Sequence, residues 1–493
     1  MSRRPIIASL SLAMFALTAA GPAANHHSKI SVDTADNPEP GKQGETMAGE
    51  DHMLARAYSH GVNLIGRSPI DGRLGNAIMT WSDHCAYVGD GGTIKSDGQL
   101  QFLPTGPNSG VAVIDVKDAA KPRVVRYLQD KGSLHAGETL HAVTTRKRSV
   151  LAASTYGGVA GINGPKEGWL SLYDVTKCDA PRLLSEIQWP EPVHTLRVSP
   201  DARYVYGTVL NPFTGEGGVE IMDITNPTRP HFLGKFPITA PDGKSYGFAP
   251  HEATFSPDQN RVYVGVLSSR GGDLNKQFKP SRPGMPSPEA VGPDAGGIYI
   301  IDNTDFALRK PNPKLRLIGT AHKAGWHSPV QAKIGGKPYL VSAGELGACP
   351  GAWPRITEIA DERNPHQVGE FRLEMNKPEN CPPRTPMETA TGGLVGRSGV
   401  ASTHFQDVDS SDDTRLGVFS FMFAGLRIVD LRNPKKPTEI AYFKPGDPCM
   451  SHVHYRRDSG QIWFACNASG FYVIALKPSV RAAHRLPRPS ASH

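Results

Sequence analysis

One short pattern recurs along the chain and constrains its fold more than any other feature. In its strong copies a Gly or Trp precedes alternating apolar residues and then an Asp. The strong copies are Gly110–Asp115, Trp169–Asp174, Gly218–Asp223, Gly297–Asp302 and Gly425–Asp430, and two weaker ones are Ile356–Asp361 and Gly470–Ala475. Period-2 alternation rich in β-branched residues predicts a buried strand. Seven copies of such a strand predict a repeat architecture.

The sequence around each copy predicts a unit of four strands. A hairpin such as His194–Tyr206 precedes the recurrent strand, and a turn, a Pro and a second apolar stretch follow the strong copies. The 52 Gly and 43 Pro residues suit a chain with many turns. Four-stranded antiparallel units arranged radially are propeller blades. We therefore predict an all-β, seven-bladed β-propeller in which Asn63–Ser68 supplies the missing fourth strand of the last blade and closes the ring.

Two stretches resemble a known family. Gly425–Leu431 followed by Asn433–Pro437 resembles the bacterial LVIVD-repeat family of predicted seven-bladed β-propellers. Asn63–Arg73 followed by His84–Gly89 is similar to the opening of such proteins. The resemblance covers residues 61–477 and implies a fold, whereas function has to be inferred from the site.

The two ends of the chain differ from this body. Residues 1–24 have a basic start, an apolar run at Ile6–Ala20 and then small residues, which is typical of a secretory signal peptide. The apolar run is short for a membrane anchor. We predict a flexible extension at 25–60, the propeller at 61–477, a basic disordered tail at 478–493, and a periplasmic or secreted protein.

The charge balance argues against a nucleic-acid partner. The formal net charge is +7, but five arginines and no acidic residue lie in residues 1–24 and 478–493. The basic character therefore belongs to the ends of the chain, and the predicted body offers no strongly basic surface.

Export permits disulfides, and the chain has six cysteines. Their spacing contains no Cys-x-x-Cys, so a zinc–thiolate site is not expected. Cys349 and Cys381 both lie in Pro-rich loop sequence, and we predict that they are paired across an insertion. The partners of the other four cysteines remain open.

Histidines recur where the first strand of each blade hairpin begins. The series is Asn76, His141, His194, His251, His327, His404, and then His452 or His454. First strands line the central channel of a propeller, so these residues are expected to gather at one channel mouth. The connections between second and third strands emerge at the same face, and the long ones are Asp90–Ser109, Tyr156–Gly168, Leu210–Gly217, Leu267–Gly296 and Glu345–Trp353. Long loops on one face usually mark the binding face.

Several neutral imidazoles that converge on one point form a site for a transition metal. We predict that copper or iron is held by some of the histidines His141, His194, His251, His327, His404 and His454. Glu138, Glu252 and Asp407 are candidate catalytic groups, and Glu345 is a further candidate to orient a ligand or move protons. The alternative is a ring of hydrogen-bonded structural histidines or a water-filled channel.

His251–Phe255 and His404–Val408 resemble, in outline, the His-led strands of selenium-binding proteins, which include methanethiol oxidases. That resemblance implies copper but no substrate. Carotenoid-cleavage oxygenases offer only an analogy of fold. The leading hypothesis is a metal-dependent oxidoreductase acting on a small molecule at the channel mouth. The alternatives are a non-catalytic propeller that binds a protein, peptide or glycan through its long loops, and a solute-binding or metal-storage protein.

Overall fold

The structure is a computed structural model. It describes residues 32, 36, 57–70, 73, 75–91, 93–94, 100–101, 108–157, 165, 167–209, 218–239, 241, 243, 245–246, 250–266, 297–322, 327–345, 349–384, 386 and 401–489. The predicted signal peptide and most of the predicted long loops, including 210–217 and 267–296, lie outside the described residues.

Strands dominate the described residues. In chain order they are β1 Tyr58–His60, β2 Val62–Ser68, β3 Asn76–Ser82, β4 Cys85–Asp90, β5 Thr93–Ile94, β6 Leu100–Gln101, β7 Val111–Asp115, β8 Arg123–Leu128, β9 Leu140–Thr144, β10 Ser149–Ser154, β11 Gly168–Asp174, β12 Arg182–Trp189, β13 Thr195–Val198, β14 Tyr204–Val209, β15 Gly218–Asp223, β16 His231–Phe236, β17 Ile238–Thr239, β18 Ser245–Tyr246, β19 Pro250–Phe255, β20 Arg261–Val266, β21 Gly297–Asp302, β22 Leu315–His322, β23 His327–Ile334, β24 Lys337–Ala343, β25 Arg355–Glu358, β26 His366–Glu370, β27 Thr403–Val408, β28 Leu416–Phe421, β29 Gly425–Asp430, β30 Thr438–Lys444, β31 His454–Tyr455, β32 Gln461–Cys466 and β33 Gly470–Leu476. The helices are α1 Lys131–Leu134, α2 Thr304–Ala307 and α3 Pro478–Ala483, with 3₁₀ turns at Glu374–Asn376 and Pro378–Asn380.

Seven four-stranded antiparallel units form the predicted seven-bladed β-propeller. Blades 1 to 7 are β3-β4-β7-β8, β9-β10-β11-β12, β13-β14-β15-β16, β19-β20-β21-β22, β23-β24-β25-β26, β27-β28-β29-β30 and β31-β32-β33-β2. Consecutive innermost strands from blade 1 to blade 7 contact one another around the central channel, and β3 of blade 1 contacts β32 of blade 7. The small additions are a β5-β6 hairpin, β17-β18 on blade 4 and β1 on blade 6.

The predicted closing strand is confirmed. β2 pairs antiparallel with β33, from Val62 opposite Leu476 to Ser68 opposite Phe471. The last blade therefore takes its outer strand from the N-terminal segment, and its third strand has no open edge.

Both ends contain more structure than the sequence predicted. β1, at the end of the predicted flexible extension, pairs with β30. α3, inside the predicted disordered tail, starts with Pro478 at its first position, where proline is well tolerated. Val480 and Leu486 pack against the apolar core of blades 6 and 7, which gives this segment a reason to be ordered.

Glycines on outer strands allow neighbouring blades to pack closely. A side chain at Gly319 or Gly369 would collide with the carbonyl oxygen of Glu362 or Pro434, respectively, in the turn that precedes the next blade's outer strand. Part of the high glycine content is therefore used at the contacts between blades.

The weaker copy in blade 5 is shifted from its predicted position. The strand is Arg355–Glu358, and Glu358 lies opposite Tyr339 where the other blades place their Asp. The acid that corresponds to the blade Asp is therefore Glu358 and not Asp361, because the strand begins one residue earlier and ends three earlier than the pattern indicated.

All six cysteines form disulfides. The predicted Cys349–Cys381 bond is present, and the others join Cys85 to Cys178 and Cys449 to Cys466. Three disulfides are consistent with an extracellular protein. Among the described residues no helix has the length and apolar character needed to cross a membrane.

Candidate metal centre

Four histidines from four consecutive blades meet in the channel. They are His194, His251, His327 and His404, here called the four-histidine cluster. Each lies at the start of the innermost strand of its blade, from blade 3 to blade 6. Their side chains are 0–2% exposed. Ring centroids of neighbours are 4.3, 4.1 and 4.6 Å apart around the cluster.

The Nε2 atoms of the cluster point toward one another and toward two glutamates. His194 Nε2 and His251 Nε2 are 2.9 Å apart. Glu138 Oε1 lies 3.3 Å from His404 Nε2, and its Oε2 lies 3.7 Å from His194 Nε2. Glu345 Oε2 lies 3.5 Å from His251 Nε2 and 3.7 Å from His327 Nε2. Three overlapping triplets drawn from these six residues have ligand atoms close enough to hold one metal ion.

The register of the blades explains how Glu138 joins the histidines. The third strand ends in an Asp in blades 1 to 4 and 6, and the corresponding residue is Glu358 in blade 5 and Ala475 in blade 7. On each first strand, one residue lies level with the third-strand residue two positions before this one. These seven residues, here called the lower ring, are Thr80, His141, Arg197, Thr254, Val330, Asp407 and His454. The four cluster histidines each stand three residues before their lower-ring residue. Glu138 stands three residues before His141, so in blade 2 a carboxylate occupies the position that a histidine takes in blades 3 to 6.

His141 and His454 therefore lie deeper in the channel than the four cluster histidines, whereas the sequence predicted all of them at the channel mouth. In β23 and β27 a bulge lets three residues advance only two ladder positions, which corresponds to about 7 Å. His141 Nδ1 accepts a hydrogen bond from the Val198 N–H at 3.1 Å, which joins blade 2 to blade 3. His454 stacks on Trp81 at 3.8 Å between ring centroids. Neither residue belongs to the triplets that could hold a metal.

Asp407 also belongs to the lower ring. Its Oδ2 accepts a hydrogen bond from the Tyr455 N–H at 2.9 Å, joining blade 6 to blade 7, as Thr80 Oγ1 does for the Ala142 N–H between blades 1 and 2. These contacts hold neighbouring inner strands together. They place Asp407 away from the cluster, in a position that suits a structural role.

Glu252 follows His251 in the chain but faces a different group. It pairs with Arg197, and its Oε1 lies 3.3 Å from His452 Nε2. Arg197 Nη2 donates to His452 Nε2 at 2.7 Å. Burial, followed by the Arg197 charge, lowers the pKa of His452 to about 4. Arg197, Glu252 and His452 are here called the channel bridge, because they connect blades 3, 4 and 7.

Phe405 separates the channel bridge from the four-histidine cluster. Its ring centroid lies 4.2 Å from that of His404, 4.8 Å from that of His327 and 3.7 Å from that of His452. The side chain is fully buried. Phe405 therefore provides an apolar floor beneath the cluster.

The protonation of His404 follows from its two partners. Its Nδ1 lies 2.5 Å from the Met450 carbonyl oxygen, which can only accept, so Nδ1 carries a proton and Nε2 faces the cluster. Burial lowers the pKa of His404, but the nearby charges of Glu138 and Glu345 outweigh it and raise the pKa to about 9. The adjacent His327 is held neutral, because burial and then its histidine neighbours lower its pKa.

Sequence analysis did not identify Tyr156. Its ring lies 5.3 Å from that of His194 between centroids and packs over Gly137. Burial, followed by the charges of Glu138 and Glu345, raises the pKa of its hydroxyl well above the ordinary value, so the group stays protonated. The sequence carried no signal for it, because Tyr156 lies just after a second strand and outside the His series.

Comparisons with known proteins add no activity. No protein-family model matches the chain, and no curated protein sequence matches it. The resemblance to LVIVD-repeat proteins therefore stays a prediction.

Solved structures that resemble the chain are propellers of low similarity. The β-propeller domain of Cps50 (Swd1) from Myceliophteria thermophila has a TM-score of 0.47 and 10% identity, covering 86% of this chain and 100% of that one. A putative 6-phosphogluconolactonase from Bacteroides uniformis has 0.45 and 12%, covering 75% and 88%. A hypothetical selenium-binding protein from Sulfolobus tokodaii has 0.45 and 14%, covering 75% and 82%. The assignment of site and function rests on this chain's own residues.

Proposed function

We propose that the protein is an exported, metal-dependent oxidoreductase that binds one iron or copper ion at the four-histidine cluster and acts on a small molecule. The observation that carries the proposal is the convergence of four buried imidazoles, with two carboxylates near their Nε2 atoms. Burying six such groups in a channel costs free energy unless they serve a ligand or each other.

The ring nitrogens have spacing that suits these metals. Two nitrogens about 2.0–2.1 Å from a metal are about 2.9 Å apart at right angles, and about 3.3–3.4 Å apart at a tetrahedral angle. The Nε2 atoms of His194 and His251 are 2.9 Å apart. These two nitrogens are therefore close enough to bind one ion, and imidazole ligands suit iron and copper.

The protonation pattern also supports metal binding. His404 presents Nε2 to the centre of the cluster because the Met450 carbonyl holds the other ring nitrogen. Glu138 and Glu345 hold a proton on His404 through its raised pKa, and a cation at the same place would take over that electrostatic role.

A bound iron or copper ion would supply one-electron redox chemistry. Glu138 and Glu345 lie beside the metal-facing nitrogens, where they can complete the ligand set or accept a proton from a bound substrate. Phe405 excludes solvent from below. Tyr156 keeps its proton and can donate a hydrogen bond.

Export is supported by independent features. The three disulfides favour an oxidising compartment. Residues 1–24 have the pattern of a signal peptide. The substrate and the partners of the long loops remain predictions from the sequence.

Metal analysis tests the proposal. The full chain would be expressed with export to the periplasm, purified without affinity metal, and measured by mass spectrometry for metal content. We expect about one iron or copper per chain. His194→Ala and His251→Ala should each lose it, and His231→Ala, on an exposed outer strand with 64% side-chain exposure, should retain it.

Redox activity separates an enzyme from a storage protein. Electron paramagnetic resonance should show that the metal changes oxidation state when a reductant is added and regains its original oxidation state in air. A metal-free wild type, or metal retained in both cluster variants, contradicts the metal site. A bound metal that never changes oxidation state contradicts the oxidoreductase and favours storage.

A further inference from the structure

The channel is closed below the four-histidine cluster by two layers. Phe405 lies directly beneath the cluster, with its ring against His327 and His404. The channel bridge follows, in which Arg197 from blade 3 reaches both Glu252 of blade 4 and His452 of blade 7. Because Arg197 and His452 belong to opposite parts of the ring, their contact crosses the channel.

Two lower-ring side chains are more exposed than the channel bridge. Side-chain exposure is 23% for Asp407 and 17% for His454, against 14% for Arg197, 9% for His452 and 1% for Glu252. Side chains on innermost strands are flanked by neighbouring blades, so they meet solvent through the channel or its mouth. Solvent therefore reaches Asp407 and His454 more than it reaches His452 and Glu252.

The channel bridge has hydrogen-bonding capacity left over. Among the described residues, Arg197 Nε, Glu252 Oε2 and His452 Nδ1 are buried atoms with no hydrogen-bond partner. They comprise two donors and one acceptor, because His452 Nε2 already accepts from Arg197 and its proton must lie on Nδ1. Buried polar atoms without a protein partner usually bind ordered water.

We propose that Phe405 and the channel bridge form a hydrated seal. The bridge binds water at Arg197 Nε, Glu252 Oε2 and His452 Nδ1, and the seal prevents molecules larger than water from reaching the four-histidine cluster from the lower mouth. The substrate then reaches the cluster from the face where the first strands begin. This inference deepens the proposed function by assigning the access route to the same site.

Chemical labelling of the metal-free protein tests the seal without depending on metal binding. The probe is diethyl pyrocarbonate, which modifies accessible unprotonated imidazoles, and peptide mass spectrometry follows His327, whose ring lies against Phe405. Arg197→Met removes the polar contacts of the channel bridge with a side chain of similar volume. Phe405→Ala removes the ring beneath the four-histidine cluster. Arg203→Met, a half-exposed arginine in the turn after β13, is the matched control.

The wild type is labelled only from the face where the first strands begin, so we expect labelling of His327 to be at least about twofold faster in Arg197→Met and in Phe405→Ala, with Arg203→Met at the wild-type rate. Unchanged rates in both Arg197→Met and Phe405→Ala, with wild-type circular dichroism, overturn the seal. Phe405→Leu serves if Phe405→Ala does not fold, and it should give an intermediate rate. A high-resolution crystal structure without water at the three bridge atoms overturns the hydrated part. A wild type without metal contradicts the proposed function and leaves the labelling result intact.

Discussion

Glu138 occupies a histidine position and changes the chemistry of its neighbours. It lies 3.3 Å from His404 Nε2, within a group of buried rings. Burial alone would raise the pKa of this carboxyl, but the charge and hydrogen bond of His404 together with the charges of His194 and His251 outweigh it, and the pKa falls to about 2. At residue scale the site therefore contains a buried charge pair beside the neutral ring of His327.

Removing that charge should lower the pKa of His404. In metal-free Glu138→Gln we expect the pKa of His404 to fall from about 9 by at least about one unit. Burial lowers this pKa, and one of the two negative charges that raise it is then absent. Histidine NMR across a pH series measures it, with the exposed Glu191→Gln as control. The raised pKa of His404 stabilises the wild type fully below about 6.5, and this contribution is lost as pH rises through about 9. An unchanged His404 pKa in Glu138→Gln would contradict the assigned pair.

Glu220 is a second buried carboxyl, and its pKa is shifted in the opposite direction. Burial raises its pKa to about 7, although Trp189 Nε1 donates a hydrogen bond to it. The folded protein therefore holds a proton between about pH 4.5 and 7 that the unfolded chain has released, and stability falls as pH rises through that window.

Glu220→Gln should remove this pH dependence. We expect the free energy of unfolding of the variant, relative to that of the wild type, to increase by about 2 kcal/mol from pH 5 to pH 8. The neutral amide avoids burying a charge. Thermal or urea unfolding at the two pH values measures the difference. Parallel stability curves for the two proteins would show that Glu220 does not titrate as inferred.

At the scale of elements, the inner strands are held together by the lower ring. Asp407 accepts the Tyr455 N–H, His141 accepts the Val198 N–H and Thr80 accepts the Ala142 N–H. The same position therefore makes a hydrogen bond between blades in three different chemical forms. Residues that resemble candidate catalytic groups in the sequence are used here to join blades.

Asp407→Ala should therefore destabilise the protein without removing metal. Leaving the Tyr455 N–H without an acceptor is expected to cost about 1–3 kcal/mol. Asp407→Asn retains an acceptor oxygen and should cost much less. Denaturant unfolding and metal analysis on the same samples provide the two readouts. Metal loss in Asp407→Ala at wild-type stability would instead make Asp407 part of the site.

At the scale of the whole molecule, closure of the ring depends on β2. Val62 is buried in the core that blades 6 and 7 share, and Leu64 packs against it. A chain beginning at Gly61 keeps β2 but loses β1, an edge strand on blade 6 whose Tyr58 is buried and accepts a hydrogen bond from Arg427. A chain beginning at Ile70 also loses β2 and exposes the edge of β33.

We expect the chain from Gly61 to remain folded and the chain from Ile70 to lose at least about 3 kcal/mol of stability, because two apolar side chains lose about 1.5–3 kcal/mol each. Melting temperature and solubility compare the two truncations. Equal melting temperatures would show that β2 does not close the ring.

The number of blades and the closing strand could be predicted from the sequence. Strand alternation, turns and prolines are local features, so each blade can be read from contiguous residues. The sequence also identified all four cluster histidines and placed Glu138 and Glu345 among the candidate groups. It placed His141 and His454 in the same set, because the pattern indicates that a residue is near the start of a strand but not its depth.

Which residues meet in the channel became clear from the folded structure. The depth of each side chain depends on ladder register, and the strand pairing places Glu138, rather than His141, level with the four histidines. Glu345 reaches the cluster from the end of a second strand, and Phe405 and the channel bridge separate Glu252 from it. These contacts join residues far apart in the chain, because ring closure brings separate blades to one channel, and that convergence is not encoded in any local segment.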